Sequence, residues 1–118
     1  MKIGLISPYP DIQSFGLRTL SACLKKEGHS VIMVFLCSQF WDRYEDQPLD
    51  ETVELLKDAD LIGLSVMSNF WDNSVQITER LKKDLDAPII WGGTHPTIRP
   101  EECLERGGAD IVCVGEGE

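Results

Sequence analysis

The sequence predicts an α/β domain built as a doubly wound, five-stranded parallel sheet, and three observations carry that expectation. Short apolar runs alternate with stretches patterned at helical spacing, the mark of repeated strand–helix–strand units. The run Ser30–Leu36 is continuously apolar, as a strand is when both faces of a parallel sheet are covered. The chain of 118 residues is one domain, long enough to bury roughly two-thirds of its unfolded surface.

Each element has its own signals. Ile3-Gly4-Leu5-Ile6, within Lys2 to Ser7, reads as the first strand and is stopped by Pro8 and Pro10. A helix begins near Phe15, with Leu17, Leu20 and Leu24 on its buried face, and Gly28 ends it behind the basic pair Lys25 and Lys26. Ser30–Leu36 is the second strand. Cys37 to Pro48 reads as a loop with a helical turn, and Asp50 as the cap of a short helix from Glu51 to Lys57. Asp60 to Met67 is the third strand. Asn69 with Asp72 resembles a capping box opening a helix to about Lys83, packed through Val75, Ile77, Leu81 and Leu85. Pro88 to Trp91 is the fourth strand, ending in Gly92-Gly93-Thr94-His95-Pro96. Pro100 suits the first position of a further helix, with Glu101 and Glu102 at its positive end. Ala109 to Val114 is the fifth strand, followed by Gly115-Glu116-Gly117-Glu118. Five strands alternating with four helices, at this length, fit the flavodoxin-like (Rossmann-like) strand order 2-1-3-4-5 with right-handed crossovers.

Composition narrows the function. Eleven Lys and Arg against twenty Asp and Glu give a net charge of −9, with 42% hydrophobic and 26% charged residues. No basic cluster stands out, which argues against a nucleic-acid or anionic-membrane surface. Nothing in these residues resembles a targeting signal, and the longest purely apolar run, Val31 to Cys37, is far short of a membrane span. Cys23, Cys37, Cys103 and Cys113 are scattered without a C-x-x-C pair and read as reduced thiols rather than metal ligands. The expectation is a cytoplasmic domain, and its end on a turn suggests one cut from a longer protein.

The strand order 2-1-3-4-5 brings the loops after strands one, three, four and five to one edge, where open α/β sheets bind their ligands. Those loops are Ser7–Phe15, Ser65–Asn69, Gly92–Thr97 and Gly115–Glu118. Gly-Gly at a strand end serves a close backbone approach or an unusual φ. Ser7-Pro8 and Ser65-Val66 stand where a phospho-receiver domain needs carboxylates. Pro8-Tyr9-Pro10 lacks the free amides of a flavin phosphate loop. A G-x-G-x-x-G turn is absent.

Asp60-Leu61-Ile62-Gly63-Leu64-Ser65-Val66-Met67, followed a helix and a strand later by Gly92-Gly93-Thr94, resembles the cobalamin-binding domain family. Ser65-Val66-Met67 looks like its Ser-x-Leu element and Gly92-Gly93 like its glycine turn. Trp91-Gly92-Gly93-Thr94-His95-Pro96-Thr97, Pro100-Glu101-Glu102 and Val114-Gly115-Glu116-Gly117-Glu118 are similar to the amino-terminal domain of cobalamin-dependent radical S-adenosylmethionine enzymes. The resemblance covers essentially the whole chain. It implies base-off cobalamin, its nucleotide tail passing Gly92 and Gly93 and its benzimidazole meeting the Ser65 hydroxyl. Met67, Ser68, Asn69 and Thr94 are implied as further contacts, and Gly115, Glu116 and Gly117 as the last loop of the site.

One departure is informative. The methyl-transferring mutases carry Asp-x-His-x-x-Gly after the first strand, and Tyr9 falls where that histidine, the lower cobalt ligand, would be. Pro8, Tyr9 and Pro10 are therefore expected near the lower face of the corrin with no protein histidine on cobalt. His95 is expected to make hydrogen bonds in the tail turn rather than to ligate metal, His29 to be structural, and Trp71 and Trp91 to pack. The resemblance also implies a downstream radical domain in the same chain, with S-adenosylmethionine and a 4Fe-4S cluster, for methyl transfer or ring closure; the present chain alone would not catalyse. Two other readings stay open: a docking or structural domain without cofactor, and an FMN or other nucleotide module on the same edge.

Overall fold

The computed structural model of the chain describes residues 1–9, 14–36 and 43–115. Its elements are β1 (Lys2–Ser7), α1 (Phe15–Lys26), β2 (Ser30–Phe35), α2 (Asp46–Leu56), β3 (Leu61–Ser65), a 3-10 turn (Ser68–Phe70), α3 (Trp71–Asp84), β4 (Ile89–Gly92), α4 (Thr94–Ile98), α5 (Pro100–Glu105) and β5 (Ile111–Val112). The five strands form one sheet in the order β2-β1-β3-β4-β5. Every pairing is parallel, with Ile3 opposite Leu61, Ser65 opposite Gly92 and Ile90 opposite Ile111. The fold class and strand order are those read from the sequence.

Two cores flank the sheet because side chains alternate along each strand. On one face, Ile6, Ile62, Leu64, Val66, Ile89 and Trp91 pack against Leu49 and Leu56 of α2, Ile77 and Leu81 of α3 and Cys103 of α5. On the other, Ile3 and Leu5 pack against Leu17, Leu20 and Leu24 of α1. Trp91 is wholly buried, and its indole N–H donates to Thr78 Oγ1 at 3.0 Å while Trp71 meets it edge-on at 5.4 Å. Both tryptophans are packing residues. His29 sits at the opposite edge of the sheet from the Gly92-Gly93 turn, with Nδ1 3.2 Å from the amino terminus. No helix among the described residues is long and apolar enough to cross a membrane.

Four local expectations change. The helix expected from Glu51 begins at Asp46, so Asp50 lies inside it and caps nothing. Pro48 sits in its first turn, where a missing amide proton costs no intrahelical bond. No side-chain cap bond forms at Asn69; the 3-10 turn Ser68–Phe70 leads directly into α3. Thr94–Ile98 is a helix of its own, so five helices, not four, accompany the strands among the described residues. The outer strands are also shorter than expected, β5 reduced to Ile111–Val112. Of the loop expected at Cys37 to Pro48, residues 37–42 lie outside the described residues.

Candidate functional site

Since Ile62, Leu64, Val66, Ile89 and Trp91 belong to the core under α2 and α3, the alternate residues Gly63, Ser65 and Gly92 face α1. Those positions are small where Ile3 and Leu5 of β1, on the same face, are large. A cavity of about 500 Å³ lies above them, bounded by Gly16, Leu17, Leu20 and Leu24 of α1, Ile3 and Leu5 of β1, and Cys113 and Gly115 after β5. Its volume falls in the range of cofactor pockets, roughly 300–1,000 Å³. A second depression, about 610 Å³, lies between Ile98 and Arg106 on the α4–α5 surface and includes no strand-end residue.

The glycines have distinct roles. A Cβ on Gly92 would lie 3.6 Å from the Cβ of Cys113, an ordinary contact within the cavity. Gly93 has φ 110°, and a Cβ there would come within 3.0 Å of the Val66 carbonyl oxygen and 3.2 Å of its nitrogen. Gly93 thus serves the close approach of two backbones and a positive φ, while Gly92 keeps the floor of the cavity open. A Cβ on Gly63 would meet a Leu5 methyl at 2.9 Å.

Backbone and side-chain bonds knit the strand ends together. The Val66 amide donates to Gly92 O at 2.8 Å and the His95 amide to Val66 O at 3.1 Å. Thr97 Oγ1 donates to Gly93 O at 2.8 Å and accepts from the Gly115 amide at 3.0 Å, joining the loops after β4 and β5. The hydroxyls of Tyr9 and Ser65 are 2.8 Å apart, and the Tyr9 ring rests against Phe70 with centroids 5.2 Å apart. Burial pushes the Tyr9 phenol above its ordinary value of 10.0, with the Ser65 hydroxyl opposing.

The sequence-predicted residues divide into groups. Ser65, Gly92, Gly93 and Gly115 line the cavity. Tyr9 reaches it through Ser65, and Pro8 is buried without lining it. Met67, Ser68, Asn69 and Thr94 lie exposed on the same edge without lining the cavity. His95 turns away: its Nδ1 is 2.8 Å from Ser68 Oγ, its ring lies 4.9 Å from Trp71, and its buried Nε2 has no hydrogen-bond partner among the described residues, with Glu102 Oε1 3.6 Å away. Pro10, Glu116 and Gly117 lie outside the described residues. Sequence reading missed Gly63, Gly16 and Cys113. Alternation backward from Ser65 would have placed Gly63 on the same face; Gly16 and Cys113 carried no signal of their own.

A doubly wound parallel sheet with a small-residue floor at its strand ends defines a ligand-binding domain of the open α/β class. The chain belongs to the B12-binding domain family, whose profile matches residues 1–118. Family membership supports cobalamin as its ligand. Among solved structures, a cobalamin-binding protein from Desulfitobacterium hafniense DCB-2 is 21% identical with a TM-score of 0.70, over 98% of this chain and 53% of that one. The radical S-adenosylmethionine methyltransferase TsrM from Kitasatospora setae, solved with cobalamin and a 4Fe-4S cluster bound, is 22% identical with a TM-score of 0.75, over 91% of this chain and 21% of its own. An alpha-glucosyltransferase in complex with UDP and DNA shares the fold more loosely, at a TM-score of 0.55 and 15% identity, over 95% of this chain and 36% of that one. At these identities the likeness speaks for the fold, and the chain spans about half of the first structure and a fifth of the second. No curated protein sequence matches.

Proposed function

We propose that this domain binds cobalamin base-off, without a protein histidine on cobalt, as the cofactor-holding part of a longer chain. That chain would continue into a radical S-adenosylmethionine domain with a 4Fe-4S cluster and act as a methyltransferase or a cyclase. The observation that carries the binding mode is the cavity floored by Gly63, Ser65 and Gly92, a slot opened by missing side chains at the strand ends. A nucleotide tail needs such a slot and a polar group at its side, and Ser65 supplies the hydroxyl. The loop after β1, Pro8 to Ser14, contains no histidine, which supports cobalt without an imidazole from below. Bound cobalamin supplies the organometallic and redox chemistry; the residues of this chain orient it and hold its tail out of water.

Titration with hydroxocobalamin tests the reading. A base-off absorbance spectrum with micromolar or tighter affinity is expected, as is co-elution of cofactor and protein on gel filtration. No spectral change and no co-elution would overturn it, and retention of FMN in the same experiment would favour a nucleotide module. The parent enzyme is tested by the downstream sequence, which should carry Cys-x-x-x-Cys-x-x-Cys.

A further inference from the structure

We infer that Tyr9 is a positioning residue: its phenol holds the Ser65 hydroxyl so that the serine proton points into the cavity. Tyr9 thereby strengthens the contact between the Ser65 hydroxyl and an aromatic nitrogen of the tail that the cobalamin reading already implies. This rests on the cobalamin reading above and goes beyond it in assigning Tyr9 a role toward the tail.

Ser65 lines the cavity and Tyr9 does not, so any effect of Tyr9 on a ligand there passes through the serine. A serine hydroxyl has one proton and two lone pairs, whereas a phenol is the stronger donor and weaker acceptor of the two. With the hydroxyls 2.8 Å apart, the favoured arrangement has Tyr9 donating to Ser65 Oγ, which leaves the serine proton for another acceptor. Among the described residues, Tyr9 is the only hydrogen-bond partner of that hydroxyl. Ser65 also lines the cavity floored by Gly63 and Gly92, so an acceptor for that proton can lie within it.

Tyr9 is well placed to act as a fixed donor. Its ring leans on Phe70, which is 8% exposed and anchored by its amide to Met67 O at 2.9 Å. Ser74 Oγ secures the Phe70 carbonyl at 2.8 Å. Burial keeps the phenol protonated well past neutral pH. Two hydroxyls in series polarise one another, so the terminal Ser65 proton is a better donor than an isolated serine would offer.

The experiment compares cobalamin with cobinamide, the corrinoid that lacks the tail. Absorbance titrations would use the wild-type domain, Tyr9→Phe, Ser65→Ala and the double variant, with unfolding curves recorded in the absence of corrinoid. Tyr9→Phe keeps the ring on Phe70 and should weaken cobalamin binding about fivefold, the scale of one hydrogen bond. Cobinamide binding should be unchanged, and the Tyr9→Phe effect should vanish in the Ser65→Ala background. A cobamide with a phenolic base, lacking the acceptor nitrogen, should bind the wild type more weakly than cobalamin by a similar factor and ignore the Tyr9 substitution. Equal losses for cobalamin and cobinamide, no loss for either, or a loss that persists without Ser65 would overturn the inference while leaving cobalamin binding standing. A phenolic cobamide that binds the wild type as tightly as cobalamin would overturn it without any variant. If the wild type binds neither corrinoid, the cobalamin reading falls and this inference with it.

Discussion

A Cβ on Gly92 would meet Cys113 at 3.6 Å, whereas one on Gly93 would meet the Val66 carbonyl oxygen at 3.0 Å under a φ of 110°. Gly92→Val therefore places a β-branched side chain, at home in a strand, directly in the cavity without straining the backbone. The expected outcome is loss of cobalamin retention on gel filtration with an unfolding midpoint close to that of the wild type. A bulky residue at 93 would deform the β3–β4 edge and report on folding instead. His95→Ala should do the reverse of Gly92→Val. Losing the Ser68 bond and the Trp71 contact should cost about 1–2 kcal/mol in urea unfolding, while the cobalt absorbance bands of the bound state stay unchanged. The glycine pair was legible in the sequence as an odd strand ending. The division of labour within it was not, because φ and the nearness of Val66 are set by how β3 and β4 pair. Tyr9 was legible only as a residue in the place of a histidine; its bond to Ser65 joins positions 56 apart in the chain.

The elements show the same pattern of legibility. Strand and helix types followed from apolar periodicity and from Pro and Gly punctuation. Boundaries did not, because tertiary partners extend or shorten an element. The start of α2 lies four residues before Asp50, and Asp50 instead pairs with Arg80 of α3, which also holds Asp84 at 2.6 Å. Asp110, just before β5, shows how charge fixes an element end: it accepts from Lys82 Nζ and from the Ile89 amide, both at 2.9 Å. Lys82, and secondarily that amide, hold its carboxyl below the ordinary value of 3.8. A depressed folded-state pKa gives stability that is present above 3.8 and lost as pH falls through the lower folded value. Asp110→Asn should accordingly be less stable than the wild type at neutral pH, with the gap closing below that value. Urea unfolding of both proteins across pH 2–7 checks this, and a gap independent of pH would refute it.

At the scale of the whole molecule, the strand order was readable because length and alternation leave few topologies for five parallel strands. The cavity was not, since it depends on one helix and three small residues meeting across the sheet. Among the described residues α1 alone covers that face, over Ile3 and Leu5, while β5 at the far side is two residues long with Ile111 45% exposed. The cavity beside α1 is lined largely by apolar side chains, so a ligand that fills it would extend the protein's core. Binding at a hundred times Kd would add about 2.7 kcal/mol to unfolding, with a negative heat-capacity change from the apolar surface removed from water. Amide exchange locates the gain: the Cys113 amide, which donates to Trp91 O at 2.8 Å, should exchange far more slowly once cobalamin is bound, while amides of α2 at the far side of the sheet change little. On this account the cofactor acts as a late-folding segment of the domain, one supplied from outside the chain.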